Sequence, residues 1–262
     1  MYLRIGQTEI IPEKRIIGIF DLDKASCGRR AQEFLNRAEA EGVVLAVDYL
    51  TEATRALLGG RPAAVSANGK DVIVVGGGDT GNDCVGTCLR QGCRSVTQLE
   101  LMPAAPAERT KDNPWPEWPR TLRTDYGQIE AIAVQGADPR QFETTVQRII
   151  PDESGRISEI EVVSVSRSAD GRMLPVDGTQ RRLSCQLLLI AAGFVGCEQE
   201  TADLFNVNLN RRGVPDIYVG THRIAPGLFT AGDMRSGQSL VVRAIADGRA
   251  VAIEVNQHLM GC

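Results

Sequence analysis

The sequence of 262 residues has little of what marks several classes of protein. It carries 2 histidines and 7 cysteines, an odd number with no C-x-x-C pair, and only 5% of its residues are aromatic. No apolar run approaches the ~18 residues that span a bilayer, and residues 1–20 lack a signal-peptide pattern. The net charge of −4 provides no basic footprint for nucleic acid or anionic membranes. We therefore expect a cytoplasmic protein with reduced thiols that binds neither nucleic acid nor membranes.

The rest of the composition is that of an ordinary globular protein, with 27 glycines, 12 prolines and 24% charged residues. This balance excludes collagen-like, coiled-coil and wholly disordered chains. The length suits one large domain or two small ones.

Apolar runs and their spacing predict the elements along the chain. Helices are expected at residues 29–41, 49–58, about 80–91 and about 239–259. Strands are expected at residues 2–5, 9–11, 16–20, 43–47, 71–75, 95–101, 131–134, 144–150, 157–165, 185–191 and 228–231. Residues 152–155 are a hairpin-turn candidate. Residues 103–119, which hold both tryptophans, are expected to form an irregular loop.

A glycine-rich turn stands between a strand and a helix. Residues 72–75 are a continuous β-branched run, typical of a parallel strand buried on both faces. The run leads into G-x-G-x-x-G through Gly76, Gly78 and Gly81. In such turns the first glycine permits a tight bend, the second leaves room for a pyrophosphate, and the third lets helix and strand approach closely. Because the phosphate then meets free N–H groups at the helix N-terminus, the pattern favours nucleotide binding over a structural turn.

The choice of nucleotide depends on the tip of the next strand. Glu100 lies 19 residues after Gly81, close to the ~20 at which an acidic residue meets the 2′-hydroxyl of NAD. Arg109 and Lys111 follow in the loop, and either could hold the 2′-phosphate of NADP. These residues leave both nicotinamide nucleotides open.

A second nucleotide-type pattern lies near the C-terminus. The apolar strand at 228–231 ends in Gly232 and Asp233, and a long helix follows near residues 238–240. The Asp233 carboxylate can accept a hydrogen bond from a ribityl or ribose hydroxyl. The helix N-terminus can stabilise negative charge on a flavin ring. The alternative is an ordinary aspartate in a strand-to-helix turn.

Five stretches of sequence carry a family pattern. They are residues 74–86, 95–100, 112–119, 230–233 and 237–242. Together they resemble the small (beta) subunit of bacterial glutamate synthase and its relatives, and the resemblance extends from about residue 43 to residue 262. The stretch DNPWPEWP and the run GQSLVV are specific to that family rather than to nucleotide binders at large.

The resemblance implies an α/β fold of the flavoprotein type that has two dinucleotide-binding domains. In that family NADPH passes hydride to FAD, and electrons continue through iron–sulfur clusters to a large partner subunit that makes glutamate. The implied domains are a small α+β segment at residues 1–46, a Rossmann-like NADPH-binding domain at 47–190 and the C-terminal part of an FAD domain at 191–262. No residue is an evident acid or base, since the cofactors carry the hydride chemistry.

The predicted cofactor-binding residues fall into two groups. Toward the nicotinamide nucleotide the resemblance places Gly76, Gly77, Gly78, Asp79, Thr80 and Gly81, and the spacing adds Glu100 and Arg109. Toward FAD it places Gly193, Gly232, Asp233, Gln238, Ser239 and Leu240. Gly193 lies in residues 191–194, which resemble the crossover strand between the two domains.

Two parts of the family pattern are missing. Residues 1–70, where the FAD domain of the family begins, contain no G-x-G-x-x-G, and no cysteine-rich segment for iron–sulfur clusters is present. Cys84, Cys88 and Cys93 are the only cysteine cluster, and core packing is favoured for them over metal ligation. The sequence therefore leaves a second reading open, a non-catalytic nucleotide-binding or regulatory protein with an incomplete FAD site.

Residues 1–46 carry a different pattern. The stretches 1–7, 16–23 and 33–39 resemble part of the extracellular-matrix regulatory protein B family. Acidic and basic residues balance over residues 1–45, which gives no support for DNA binding.

Overall fold

The computed structural model describes residues 2–5, 9–12, 40–169, 171–193, 196–197, 199–210 and 212–261. The chain divides into two compact units, one of residues Arg30–Gly193 and one that joins Met1–Arg29 to Phe194–Cys262. The strand predicted at 16–20 and most of the helix predicted at 29–41 lie outside the described residues. At the end of that predicted helix, Glu41 instead forms a parallel β-bridge with Arg156.

A parallel sheet of five described strands forms the centre of the first unit. The strands are β3 (Val43–Leu45), β4 (Asp71–Val75), β5 (Ser95–Leu99), β6 (Arg140–Gln141) and β11 (Leu187–Ile190), and their order in the sheet is β3–β11–β4–β5–β6. From β4 the chain moves outward to β5 and β6 on one side, and it returns to β11 on the other. The strand order therefore reverses between β4 and β11. Ligands of open α/β sheets bind at such a switch point, outside the carboxyl ends of the strands.

The residues of β4 account for its central place in the sheet. Val72, Ile73 and Val74 are 0%, 3% and 0% exposed. Both faces of the strand are therefore buried, as the β-branched run predicted. Val75 pairs with Leu99 of β5 and with Ile190 of β11. The three strands end level with one another, so the residues that follow them lie at one edge of the sheet.

Three helices of the described residues belong to the same unit: α1 (Ala46–Leu58), α2 (Asp79–Arg90) and α3 (Tyr126–Gln135). Helix α1 begins three residues before its predicted start and ends at Leu58, as predicted, with Gly59 as its C-cap. Helices, sheet and the segment between α1 and β4 share one buried apolar cluster, formed by Ala46, Tyr49, Ala67, Val72, Val74, Cys84, Val85, Cys88, Val96, Ala131, Leu187 and Leu189.

The strand predicted at residues 131–134 is wrong, because these residues belong to α3. A capping box starts the helix: the Asp125 side chain accepts a hydrogen bond from the backbone, and Gln128 Oε1 accepts one from the Asp125 N–H at 2.8 Å. Gly136 ends the helix in the left-handed conformation, with φ of +78°. A short apolar run is compatible with either a strand or a helix. In this segment the caps at Asp125 and Gly136 identify it as a helix.

A four-stranded antiparallel sheet completes the first unit. Its strands are β7 (Thr144–Pro151), β8 (Ile157–Arg167), β9 (Met173–Pro175) and β10 (Arg181–Ser184). Strands β7, β9 and β10 each pair with β8. The hairpin turn predicted at residues 152–155 is confirmed. The Asp152 N–H donates to Arg156 O at 2.7 Å, and Asp152 Oδ1 accepts from the Ser154 N–H at 2.8 Å.

The second unit contains two short strand pairs and three described helices. Its elements are β1 (Tyr2–Ile5), β2 (Glu9–Pro12), α4 (Gln199–Leu204), β12 (Arg223–Ala225), β13 (Leu228–Phe229), α5 (Asp233–Ser236) and α6 (Val241–Met260). None of the 20 residues of α6, all of them described, is buried. None of the described helices combines the length with the apolar character that a membrane crossing requires.

Candidate nucleotide-binding site

Gly76 makes the first bend of the glycine turn, directly after β4. Its φ is +124°, a conformation that glycine adopts without strain. A Cβ at this position would overlap the Ala191 carbonyl group, whose carbon would be 2.8 Å away. The Ala191 N–H in turn donates to Val75 O at 2.7 Å. The residue that follows β11 therefore forms one wall of the turn, and Gly76 has the tight geometry expected of the first glycine.

Gly81 is buried in the first turn of α2. A Cβ there would overlap Gly76 O and would lie 2.7 Å from Gln98 Nε2 on β5. The helix therefore approaches the glycine turn and β5 too closely for a side chain, as expected of the third glycine.

Gly78 differs from both, because a Cβ at this position would meet no atom within 4 Å. Gly78 is exposed and forms the N-cap of α2, with φ of −78° and no side-chain cap. The first hydrogen bond of the helix runs from the Asn82 N–H to Gly78 O at 3.0 Å. The N–H groups of Asp79, Thr80 and Gly81 consequently have no acceptor within the helix. Open space beside free donors at a helix N-terminus fits a pyrophosphate.

Glu100 follows β5 directly and lies against the glycine turn. A Cβ on Gly77 would lie 2.7 Å from Glu100 Cδ and would overlap its carboxylate. Glu100 Oε1 accepts a hydrogen bond from the Met102 N–H at 2.8 Å. The spacing that suggested Glu100 from the sequence thus corresponds to direct proximity, because β4 and β5 end level.

Arg109 lies in the tryptophan-containing loop of residues 103–119 and forms hydrogen bonds within that loop. Its guanidinium donates to Asn113 O at 3.1 Å and to Glu117 O at 2.7 Å. Asn113, only 1% exposed, donates to Trp118 O at 3.0 Å. Lys111 is exposed in the same loop. The loop is irregular, as predicted.

A buried amide network behind the turn was not predicted from the sequence. Gln98 is fully buried on β5, and its Nε2 donates to Gly76 O at 2.9 Å. Gln128 Nε2 donates to Gln98 Oε1 at 3.1 Å, and the Gln128 N–H donates to Asn82 Oδ1 at 3.2 Å. The network connects the glycine turn to the N-terminus of α3. The available signal was a glutamine inside an otherwise strand-like run, since buried polar groups need partners.

The second nucleotide-type pattern, at residues 228–240, forms a turn in the second unit. Gly232 is buried, with φ of +63°, and Asp233 is exposed. Asp233 Oδ1 accepts hydrogen bonds from the Ser239 N–H at 3.1 Å and from the Ser239 hydroxyl at 3.0 Å. Gln238, Ser239 and Leu240 are all exposed. Leu240 is the N-cap of α6 and provides no side-chain acceptor. The Arg243 and Ala244 N–H groups donate to Leu240 O at 2.8 and 3.1 Å. The N–H groups of Val241 and Val242, at the start of this 20-residue helix, are left to face an anion or a flavin.

Asp247 on α6 holds this turn in place, a role that the sequence did not reveal. Its Oδ2 accepts from the Gly232 N–H at 2.7 Å, and the Arg235 guanidinium donates to both of its carboxylate oxygens. His222 Nε2 lies 3.1 Å from Asp247 Oδ1, and His222 Nδ1 lies 2.6 Å from Glu254 Oε1. The hydrogen bonds from Arg235, with that from Gly232, hold the pKa of Asp247 well below its usual value.

Gly193, the remaining predicted residue, is the last residue of the first unit. It is exposed and has φ of +90°. It comes three residues after β11 and two after Ala191, which walls the glycine turn. The first unit therefore brings together Gly76, Gly77, Gly78, Gly81 and Glu100, whereas Gly232, Asp233, Gln238, Ser239 and Leu240 meet in the second.

No family model matches the chain. The chain is 40% identical over 232 residues to the NADPH glutamate synthase small chain of Bacillus subtilis. The aligned region covers 85% of this chain and 47% of that protein. It is 38% identical over 232 residues to the corresponding small chain of Mycobacterium tuberculosis, and 38% identical over 231 residues to the NADH glutamate synthase of Schizosaccharomyces pombe. The shares covered are 85% of this chain in both cases, against 46% and 11% of those proteins.

The chain thus spans about half the length of the small chains it matches. These similarities support the glutamate synthase resemblance. They show nothing of the proposed likeness of residues 1–46 to the extracellular-matrix regulatory protein B family, which stays a prediction.

The fold is shared with solved oxidoreductase structures. Thioredoxin reductase of T. acidophilum superposes with a TM-score of 0.54 at 16% identity, covering 90% of this chain and 62% of that one. FprA of Mycobacterium tuberculosis superposes with a TM-score of 0.56 at 13% identity, covering 83% and 59%. The predicted α/β, Rossmann-like fold is therefore confirmed.

Proposed function

We propose that the chain is the NAD(P)H-binding part of a flavoprotein oxidoreductase of the glutamate synthase small-chain type. In such an enzyme hydride passes from NADPH, or from NADH, to FAD, and electrons continue to a partner. One observation carries the proposal: Gly76 and Gly81 are sterically required, whereas a side chain at Gly78 would enter empty space beside free helix donors. A purely structural turn needs no such opening.

The residues of the turn would bind the pyrophosphate of the nucleotide. The N–H groups of Asp79, Thr80 and Gly81 point from the start of α2 and supply donors, and the helix dipole favours the negative charge there. Gly78 would let the backbone approach the phosphate without a side chain, and Gly77 leaves room for the Glu100 carboxylate. The bound nucleotide supplies the hydride. The protein supplies alignment, and none of its side chains is assigned as acid or base.

The second unit would contribute part of an FAD site. The exposed Asp233 carboxylate, fixed by Ser239, would accept a hydrogen bond from a flavin hydroxyl, and the uncapped start of α6 near Gln238 and Leu240 would face negative charge. Asp247 orients the Gly232 backbone through its hydrogen bond. Gly193 would let the chain pass between the two cofactor-binding parts.

Two further features support the proposal that this unit forms only part of the FAD site. Thr230, 2% exposed, has a side-chain hydroxyl without a hydrogen-bond partner in the described part of the chain. Helix α6 has no buried residue, and the side chains of Val241, Ile245 and Ile253 are 71%, 59% and 63% exposed. Apolar surface of this kind is usually covered in a completed domain.

As partner we propose a large glutamate synthase-type subunit or another electron acceptor. Two relatives are named small chains, and another, the Schizosaccharomyces pombe glutamate synthase, is matched over 11% of its length. A part that delivers electrons to a much larger synthase is consistent with the separate small chains and with the long protein that is matched over a small part of its length.

Titration of NADPH and of NADH into the full chain, followed by nicotinamide fluorescence, tests the nucleotide-binding part of the proposal. Saturable binding of at least one of the two is expected. If neither binds at millimolar concentration, the proposal is wrong.

The absorption spectrum of the purified chain separates the flavoenzyme from the alternative of a non-catalytic nucleotide-binding protein. Because residues 1–70 hold no glycine-rich FAD turn, we expect a colourless preparation that binds the nicotinamide nucleotide. Adding a chain that carries the missing turn should yield a yellow complex that NAD(P)H bleaches without oxygen. A complex that stays colourless would favour the non-catalytic alternative.

A further inference from the structure

We propose that Glu100 makes the nicotinamide site bind NADH more tightly than NADPH. This inference rests on the proposed function, since it concerns the same nucleotide site. The two nucleotides differ at the 2′ position of the adenosine ribose, which is a hydroxyl in NADH and a phosphate in NADPH. A carboxylate accepts a hydrogen bond from the hydroxyl but repels the phosphate.

The position of Glu100 is fixed by its surroundings. Two hydrogen bonds to the neighbouring segment hold its backbone: its N–H donates to Gln141 O at 2.9 Å, and its O accepts from the Thr144 N–H at 3.1 Å. Its Oε1 accepts from the Met102 N–H, and the rest of the carboxylate lies against Gly77. A nucleotide whose pyrophosphate rests on the turn places its adenosine ribose at the tip of the neighbouring strand. The Glu100 carboxylate is already held at that tip.

The guanidinium groups of Arg109 and Arg140 are engaged by other groups. Arg109 donates to the carbonyl oxygens of Asn113 and Glu117 within its own loop. Arg140 follows a similar pattern: its side chain is 5% exposed, pairs with Asp138 at 2.7 Å and donates to Arg123 O at 2.6 Å.

The same edge carries a second acid. Glu143 is bound through its N–H to Met102 O at 3.3 Å and has an exposed side chain. A 2′-phosphate, with a charge of about −2 near neutral pH, would therefore approach two carboxylates. Two cations are available to offset them, the exposed Lys111 and Arg181, whose guanidinium donates to the uncharged side chain of Gln141.

Calorimetric titration of the full chain with NADH and with NADPH tests the inference. We expect NADH to bind at least about tenfold more tightly, the factor that one charge-assisted hydrogen bond supplies. Glu100→Gln removes the charge but keeps the shape, so it should improve NADPH affinity several-fold. Glu100→Ala removes the acceptor and should weaken NADH. Glu153→Gln, in the exposed hairpin turn, changes the net charge equally and should alter neither affinity.

The outcomes separate this inference from the proposed function. If NADPH binds as tightly as NADH or more tightly, or if Glu100→Gln leaves the ratio of affinities unchanged, the role of Glu100 is wrong while the nucleotide site stands. If neither nucleotide binds, both are wrong. Thermal denaturation of each variant shows whether a lost affinity reflects the site or a loss of folding.

Discussion

The carboxylate of Glu100 occupies the space that a side chain at Gly77 would need. A Cβ on Gly77 would lie 2.7 Å from Glu100 Cδ, and the three heavy atoms nearest to it all belong to Glu100. The sequence separates the two residues by more than twenty positions, but the parallel pairing of β4 and β5 brings them together. The turn that would hold the phosphates and the acid that would meet the ribose therefore form one unit.

This relationship predicts a strong coupling between the two positions. Gly77→Ala should destabilise the protein by about 1–3 kcal/mol, because the new methyl group displaces the carboxylate. In a Glu100→Ala background the same change should cost at least about 1 kcal/mol less. Urea denaturation of the two single variants and the double variant measures the coupling. Gly78→Ala, whose Cβ meets no atom within 4 Å, is the matched control. If Gly77→Ala lowers the free energy of unfolding equally in both backgrounds, the contact between Gly77 and Glu100 is contradicted.

The buried amide network predicts that Gln98 stabilises the glycine turn. Gln98→Leu removes the donor to Gly76 O and the acceptor for Gln128 Nε2 and leaves both unpaired. We expect a loss of about 2–3 kcal/mol in the free energy of unfolding, together with weaker nucleotide binding. Gln147→Leu, at an exposed position on β7, should change the stability little. A Gln98→Leu variant as stable as that control would show that the network contributes nothing.

The hydrogen bonds of Asp247 predict that the second unit loses stability at acidic pH. Because hydrogen bonds from Arg235 and Gly232 lower its pKa in the folded state, the stability it provides is present above its unfolded pKa of about 3.9 and is lost as the pH falls below it. Asp247→Asn should cost about 2–4 kcal/mol at pH 7, since it leaves Arg235 without its charged partner. It should also flatten the pH dependence of hydrogen exchange at residues 228–236. The control is exposed Asp216→Asn, and an acid response equal to wild type in Asp247→Asn would refute the assignment.

The buried cysteines predict low thiol reactivity. Cys84, Cys88 and Cys185 are fully buried, and burial raises their pKa, for Cys88 and Cys185 to about 12. At pH 8 these thiols should resist alkylation in the folded protein and react in urea. Since unfolded thiols ionise near pH 8.5, their contribution to stability should decline as the pH rises above about 9. Mass spectrometry of alkylated peptides locates the reaction, and rapid native labelling of Cys88 would be inconsistent with its burial.

Much of the first unit was predictable because its signals are local. The β-branched run at 72–75 and the glycine spacing that follows specify strand, turn and helix, and the structure has β4, the turn and α2 within one residue of the predicted bounds. The helix that contains residues 131–134 was missed because its apolar run is short. Its caps, Asp125 with Gln128 and Gly136, were readable but were outweighed by the neighbouring strand pattern.

The residues that support the candidate sites were not predictable, because their roles depend on contacts distant in sequence. Ala191 reaches Gly76 only after β11 inserts beside β4, and Gln98 meets Gln128 only after α3 packs. His222 is one of only 2 histidines in the sequence and lies more than twenty positions from Asp247 and Glu254, yet both of these residues of α6 contact its ring. Local spacing predicts the binding turn, whereas the groups that hold it in place require the tertiary structure.

Nucleotide affinity of Gly78→Val is the most direct measurement of the central claim. The valine side chain would enter space that is empty in the protein and that a pyrophosphate would fill, and the extended ψ of −175° accommodates it. By calorimetry we expect NADH and NADPH affinity to fall by at least about 100-fold, with a Tm close to that of wild type. A Gly78→Val protein that folds and binds either nucleotide as tightly as wild type would show that the turn is structural and that the proposed site is wrong.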